Sequence, residues 1–323
     1  MEVNPIYPFE PISSKDVPSG PEWISQIKWD GVRVLTYFNG QDTRLFNRKL
    51  NERTNIFPEL TEIREYTDSK SVIFDGEVIA LDPNGNPSFH EVMRRDGIRR
   101  IDRVKQLIDA VPIYYMIFDI IFYNGQWINK DPLKERLDLL SKVVNPSERI
   151  QVVPSNIDGT TLFEVVKQHG LEGIVCKNLN SSYIIDGKNA DWRKVKNYKD
   201  VIAVVGGVTY RSGTVNSLLI GLYDLTNQFV YIGHVGTGKL TVNDWKELTK
   251  LVETIKIENN PFCNKPKKTR DTAWIQPLLT VKVQFMEWTN DMSLRQPSIQ
   301  AFIEKDPYSC KLNEIKEEID GTN

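Results

Sequence analysis

Lys28-Trp29-Asp30-Gly31-Val32-Arg33 stands between two short runs, WISQI (23–27) and VRVLTYF (32–38). Both runs read as strands, so Asp30-Gly31 is expected to turn a hairpin-like corner between them. The corner carries one lysine, with an aspartate and an arginine close behind it. A charged surface turn is the plainest reading of such a string. A chemical reading is open as well. Lysine is a covalent nucleophile once its amine is partly deprotonated, which takes neighbouring cations, a metal or desolvation. Gly31 would let backbone approach a ligand closely, and Arg33 is expected on the Lys28 side of any site. The choice between the readings rests on polar residues further along, embedded where the chain is otherwise apolar.

A chain of 323 residues suits two domains. No apolar run is long enough for a membrane span, and MEVNPIYPFEP lacks the basic-then-apolar pattern of a secretory signal. Cys176, Cys263 and Cys310 are odd in number and far apart, which argues for a reducing, cytoplasmic setting without a disulfide framework. With His90, His169 and His234 equally scattered, a zinc or histidine metal centre is not expected. The formal net charge of −2 neither demands nor excludes a nucleic-acid partner. Local charge is more telling. Arg94, Arg95, Arg99, Arg100, Arg103 and Lys105 form one basic cluster, Arg193, Lys194, Lys196 and Lys199 a second, and Lys265, Lys267, Lys268 and Arg270 a third. Together they point to a phosphate-rich ligand touched from several sides.

Asn39-Gly40, Asn84-Gly85 and Asn124-Gly125 each follow an apolar run, so antiparallel hairpins are expected rather than parallel crossovers. A helix is expected from Pro132, capped by Asp131, burying Leu133, Leu137, Leu140 and Val144. Another runs through Leu162, Val165, Val166 and His169 to Gly170. Near Asp200 the chain changes to short β-rich runs with one helix through Trp245, Leu248, Leu251, Val252 and Ile255, the pattern of a small OB-type barrel. The expected organisation is therefore α+β: an antiparallel-sheet domain over 1–200, then an OB barrel over 201–323 ending in a frayed helix or tail.

Glu77 lies in VIFDGEVIAL, where a carboxylate is costly to bury unless it is paired, hydrogen-bonded or metal-bound. Phe118 and Asp119 interrupt YYMIFDII, Arg48 ends a strand, and Glu172 and Lys177 flank another in GLEGIVCK. Lys194 and Lys196 alternate with Trp192 and Val195, so both should leave one face of a strand. Two cations on one face need an anion, and phosphate is the obvious candidate. Gly233-His234-Val235-Gly236-Thr237-Gly238-Lys239 fits GxxxxGK, but Leu240 follows where a P-loop needs a magnesium-binding hydroxyl. A glycine-rich turn of the barrel is expected there instead.

In this order, KWDGVR, LFNRKLNERT, FDGEV, YMIFDIIFYNG, GLEGIVCK and DWRKVK resemble motifs I, Ia, III, IIIa, IV and V of the covalent nucleotidyltransferase superfamily. The resemblance is strongest to ATP-dependent DNA ligases. The C-terminal part, with GHVGTG, VQFMEWT and LRQPSIQAF, is similar to the ligase domain of bacterial end-joining ligases. The resemblance implies a lysyl-AMP on Lys28, with Asp30, Lys194 and Lys196 in the catalytic set. It implies nucleotide contacts from Gln26, Ile27, Arg33, Arg48, Glu77 and Phe118, the last stacking on adenine, along with Lys194 and Lys196. Glu77 and Glu172 would hold the metal, Mg²⁺ or alternatively Mn²⁺. The implied substrates are ATP and nicked duplex DNA, handled by a monomer. An RNA ligase, an RNA-capping guanylyltransferase or a nucleic-acid-binding module with a degenerate site are the rival readings. Two departures stand out. Gln26 replaces the usual adenine-reading glutamate, and Ile303 in AFIEKD replaces the arginine of the last motif, leaving Lys305 and Arg295 as substitutes.

Overall fold

The computed structural model describes residues 3–267, 270–289 and 291–312. Most of the expected C-terminal tail, and Lys268 of the third basic cluster, lie outside the described residues. The chain divides into two compact units, Met1–Asn197 and Tyr198–Asn323.

In the first unit the elements run β1 (Glu10–Ser14), β2 (Trp23–Ile27), β3 (Val32–Phe38), β4 (Thr43–Asn47) and β5 (Val72–Ala80). Then follow α1 (Phe89–Asp96), α2 (Val104–Ala110), β6 (Ile113–Tyr123), β7 (Gln126–Trp127) and α3 (Leu133–Val143). The unit ends with β8 (Ile150–Val152), α4 (Gly159–Gln168), β9 (Gly173–Asn178) and β10 (Lys188–Lys196). Two sheets result, ordered β1-β10-β9-β2 and β4-β3-β5-β6-β7, with β8 added along β6. Antiparallel pairing dominates, as the Asn-Gly turns imply, yet β1–β10 and β6–β8 are parallel. These two pairs join segments distant in sequence, so no turn dipeptide announces them.

The hairpin expected at Asp30-Gly31 does not form. β2 pairs with β9, whereas β3 pairs with β4 and β5, so Lys28–Gly31 carries the chain from one sheet to the other. Gly31 serves this crossing: a Cβ there would collide with the main-chain carbonyl of Val78 on β5. Its missing side chain lets strand approach strand, rather than backbone approach ligand. The helix after Pro132 also starts differently. Pro132 itself is the N-cap, with no side-chain cap bond, and the Asp131 carbonyl instead accepts from Arg136 (2.6 Å).

Period-two alternation gives each sheet one face toward the helices and one toward the other sheet. Val34, Phe38, Phe74, Val78, Tyr115 and Ile117 pack with Val92, Val104 and Leu140 of the covering helices. Trp23, Ile174, Cys176 and Val195 pack with Val166 of α4. Between the sheets, Phe9, Leu35, Tyr37, Ile73, Phe122, Tyr183 and Trp192 form an aromatic-rich core.

The second unit contains β11 (Lys199–Arg211), β12 (Thr214–Tyr223), β13 (Phe229–Val235), α5 (Val242–Thr254) and β14 (Lys256–Ile257). β15 (Thr272–Ile275), β16 (Thr280–Phe285) and β17 (Ser298–Phe302) complete it. The long β11 pairs with β16 along residues 199–204 and with β15 along 207–209, shifting register between Val205 and Gly207. β16 pairs with β17. The circuit closes where Ile299 N–H donates to Thr237 O (2.8 Å) and Lys239 N–H to Ile299 O (2.9 Å). This closure makes an OB-type barrel around Val204, Leu218, Ile220, Ile232, Val281 and Ile299. The GxxxxGK stretch thus spends its main-chain groups on a neighbouring strand instead of a phosphate. Gly238, at φ 144°, could carry no Cβ without collision with the Ile299 main chain. Thr241 and Asp244 then form a reciprocal capping box at the start of α5.

Asp119 and Arg136 form a fully buried bidentate pair (2.8 and 2.9 Å) beneath β6, and Arg136 also donates to the Ser181 carbonyl (3.1 Å). Removing one member strands a charge in the interior. Arg136→Met is expected to cost about 3–5 kcal/mol of stability, and Arg136→Met with Asp119→Leu to recover most of it. Urea unfolding of the two variants beside the wild type checks this; equal losses for single and double variants would count against it.

Candidate active site

The face of the β1-β10-β9-β2 sheet turned away from α4 is set by register. Gln26 pairs with Val175, and Val175 with Lys194; Ile24 pairs with Lys177, and Lys177 with Trp192. Directly paired residues share a face, so Gln26, Lys177, Trp192, Lys194 and Lys196 all project toward the second sheet. From that second sheet Arg33, Asp75, Glu77, Met116 and Phe118 project back. Ring contact of Phe118 with Trp192 (6.3 Å between centroids) shows the two faces meeting.

Lys28 ends this face. Its Nζ lies 2.5 Å from Glu172 Oε2, while Lys196 Nζ lies 3.2 Å from Glu172 Oε1. One carboxylate therefore holds two lysines. Burial, then the nearby Lys196 and Lys28, push the Lys194 amine below its usual range. Across the cleft, burial raises the Glu77 carboxyl to about 8; Lys28 and Arg33 oppose the shift, and Glu172 and Asp75 reinforce it. The floor of the cleft thus concentrates cations, and its opposite wall holds a carboxyl group deprived of water.

Gln26 is 2% exposed, and its Nε2 donates to the Val153 carbonyl (3.3 Å) and to Ser155 Oγ (3.2 Å). A carbonyl only accepts, so the amide orientation is fixed. Oε1 is left buried with no partner among the described residues. Trp29 Nε1 is likewise buried without a partner, in an apolar wall with Ile79, Met116, Val153 and Phe118. An unsatisfied acceptor and an unsatisfied donor beside one apolar wall suit the edge of a purine.

Three expected ligand contacts are placed differently. Ile27 points its side chain into the apolar cluster under α4, because it is one residue out of phase with Gln26 and Lys28. Only its main chain can serve a ligand. Arg33 is braced within the protein: its guanidinium makes bidentate bonds to Asp75 through Nε and Nη2 (2.9 and 2.5 Å), and Nη2 also bonds Tyr183 Oη (3.3 Å). Tyr183 Oη in turn donates to Asp75 Oδ2 (2.7 Å). Arg33 acts as the anchor of the cleft wall, with its guanidinium 5.3 Å from the Phe118 ring centre. Arg48 is exposed on the turn after β4. Asp30 is half-buried within the crossing segment.

Asp75 and Tyr183 escaped notice in the sequence, and Trp192, expected to alternate with Lys194 and Lys196, shares their face because it is two residues from Lys194. Asp75 carried the same signal as Glu77, a carboxylate in an apolar strand two residues away. The basic clusters also resolve into parts. Arg95 is fully buried and pairs bidentately with Glu59 (2.9 Å), so it braces the fold. Arg94 pairs with Glu91, and Arg100 with Asp102 (2.7 Å). Lys267 pairs with Asp291. Arg193, on the α4 face of its strand, lies over Trp23 (4.7 Å). Lys194 and Lys196 face the cleft.

Comparison with known proteins places this geometry. The family model for the ATP-dependent DNA ligase domain matches residues 12–196, and that for the ATP-dependent DNA ligase C-terminal region matches residues 211–305. The chain belongs to the ATP-dependent DNA ligase family. DNA ligase 2 of Methanosarcina acetivorans is 35% identical over 248 residues, covering 72% of this chain and 42% of that protein. The multifunctional non-homologous end joining DNA repair protein LigD of Mycobacterium tuberculosis is 28% identical over 286 residues, covering 86% of this chain and 35% of its own length. The chain therefore spans less than half the length of these relatives. Among solved structures, the ligase domain of M. tuberculosis LigD superposes with a TM-score of 0.51 at 24% identity, covering 94% of this chain and 97% of that one. A structure from a study of Lig E DNA ligases gives 0.59 at 16% identity, covering 91% and 99%. Both likenesses show the fold. Among the described residues, no helix is long and apolar enough to cross a membrane.

Glu77 provides a test of the cleft's dryness. Its folded value of about 8 exceeds the reference of 4.5, so between these values the folded state binds more protons than the unfolded state. Its contribution to stability is then fully present at low pH and lost as pH rises through about 8, at up to about 1.4 kcal/mol per pH unit. Glu77→Gln should flatten this slope, measured by urea unfolding at several pH values. Parallel pH profiles for variant and wild type would show that Glu77 ionises freely.

Proposed function

We propose that this chain seals nicks in duplex DNA with ATP, through a lysyl-AMP on Lys28 and an adenylated DNA end. The observation that carries the reading is Lys28 held by Glu172 on the same cleft face as Lys194 and Lys196, opposite the half-buried Glu77. In the first step the Lys28 amine, having lost a proton, attacks the α-phosphorus. A P–N bond forms, the P–O bond to pyrophosphate breaks, and pyrophosphate leaves. Lys194 and Lys196 neutralise charge growing on the phosphoryl oxygens, where positioning and electrostatics do most of the work.

The adenine would lie against Phe118 with its amino group toward Gln26 Oε1. That acceptor is otherwise unsatisfied, and the pinned amide offers no donor to a guanine oxygen. Glu172 and Glu77 are hard oxygen donors of the kind a magnesium ion takes beside phosphate, and they would hold it. When bound, that ion would offset negative charge on the triphosphate. In the second step a 5′-phosphate oxygen at the nick attacks the adenylyl phosphorus, the P–N bond breaks, and Lys28 is restored. In the third, the 3′-hydroxyl attacks the 5′-phosphate, the phosphodiester forms and AMP leaves.

The names of the relatives favour DNA over RNA as the strand joined. At the last motif, Ile303 N–H donates to Thr280 O (3.0 Å), a strand-end role that offers pyrophosphate no charge. Arg295 is engaged by Glu287 (2.6 Å), and Lys305 is exposed; both belong to the second unit.

The test is incubation with magnesium and α-labelled ATP, followed by denaturation and a chase with nicked DNA. Wild type should carry label that survives denaturation and pass it to DNA, Lys28→Ala should carry none, and GTP should label poorly. Equal labelling of wild type and Lys28→Ala would refute the assignment. Because purified protein could already carry AMP, sealing without added ATP is measured alongside.

A further inference from the structure

Lys177 is a charged side chain that the mechanism above leaves unused, although it sits on the cleft-facing side of β9 and is only 2% exposed. Its Nζ donates to the main-chain carbonyl of Phe118 (3.3 Å) and lies over two rings, Trp192 at 4.1 Å and Phe118 at 4.4 Å from their centres. The bond reaches across the cleft, from one sheet to the other.

Phe118 is an unusual residue to anchor. In the β5–β6 ladder Gly76 pairs with Ile117 and Asp75 pairs with Asp119, so Phe118 is the extra residue of a β-bulge. A bulge re-aims a side chain and leaves its own residue outside the ladder. The Lys177 amine bonds the carbonyl of the bulged residue and packs on its ring, so one side chain holds both parts of the residue that the ladder leaves outside. Burial lowers this amine to about 7 even though the facing Asp119 and Asp75 oppose the shift.

We propose that Lys177 is a positioning residue that holds the bulged Phe118 ring in place as the platform for the nucleobase. This rests on the reading of the cleft as an ATP site. Lys177 acts through Phe118 and touches neither the reacting phosphorus nor Lys28.

The test is a double-mutant cycle on self-adenylation with α-labelled ATP, comparing wild type, Lys177→Met, Phe118→Ala and the pair. Lys177→Met should raise the KM for ATP about tenfold, the scale of a desolvated cation–π contact, with a much smaller change in kcat at saturating ATP. In the Phe118→Ala background the same substitution should change KM less than about twofold, since the ring it positions is gone. A KM unchanged by Lys177→Met, or fold-changes that simply multiply, would overturn the proposal. Thermal melting monitors the fold. If Lys177→Met does not fold, Lys177→Gln, which keeps a donor without the charge, enters the same cycle under the same criteria. Wild type that takes no label defeats the ligase reading instead, and the cycle is then read on ATP affinity by calorimetry.

Discussion

Like charges gathered in a dry cleft repel, and this chain answers the problem with one carboxylate. Glu172 accepts Lys28 on one oxygen and Lys196 on the other. Without it, Lys28 and Lys196 would lose the carboxylate they share while still facing Lys194, at a cost that rises as water is excluded. The geometry of the floor follows from that balance. Glu172 precedes β9 directly, and the β9–β10 register brings Lys196 opposite Gly173. Lys28, at the end of β2, donates its main-chain N–H to the Gly173 carbonyl (2.9 Å). Side-chain and main-chain bonds therefore lock the same three segments together.

The wall facing that floor uses a different device. Arg33, Asp75 and Tyr183 satisfy one another, and Asp119 with Arg136 does the same beneath β6. Each charge there is already spoken for, so the wall presents an aromatic ring and a protonatable Glu77 to a ligand. Polar groups left open, Gln26 Oε1 and Trp29 Nε1, lie beside apolar side chains. The cleft thus sets a floor that carries the lysines and the open Gln26 acceptor against a wall whose charges are internally paired.

Much of this was legible in the sequence, and the gaps have physical causes. Alternation placed Lys194 and Lys196 on one face, and an acidic residue in an apolar strand marked Glu77. Asn-Gly pairs marked hairpins because their chemistry is local: Asn124 adopts φ 46° in the two-residue turn between β6 and β7. Pairing partners distant in the chain left no such mark. Nothing local distinguishes a hairpin at Asp30-Gly31 from a crossing between sheets, and the choice is made by β9, which lies far downstream. Arg33 shows a similar limit: nothing near it in the chain announces its carboxylate partner Asp75, which lies on another strand. The GxxxxGK stretch read as a glycine-rich turn for want of a hydroxyl, and its real use lies in closing a barrel against Ile299.

The crossing at Lys28–Gly31 has a mechanical consequence. Four extended residues reach roughly 14 Å at most, and packed sheets lie about 10 Å apart, so this segment limits how far the sheets can part. Lys28 is carried on the tether that bounds the gap. Any breathing of one sheet against the other must pull on Lys28, and any ligand that wedges the sheets apart must reposition it. The segment behaves as a gauge, in which the width of the cleft and the reach of the lysine are a single coordinate.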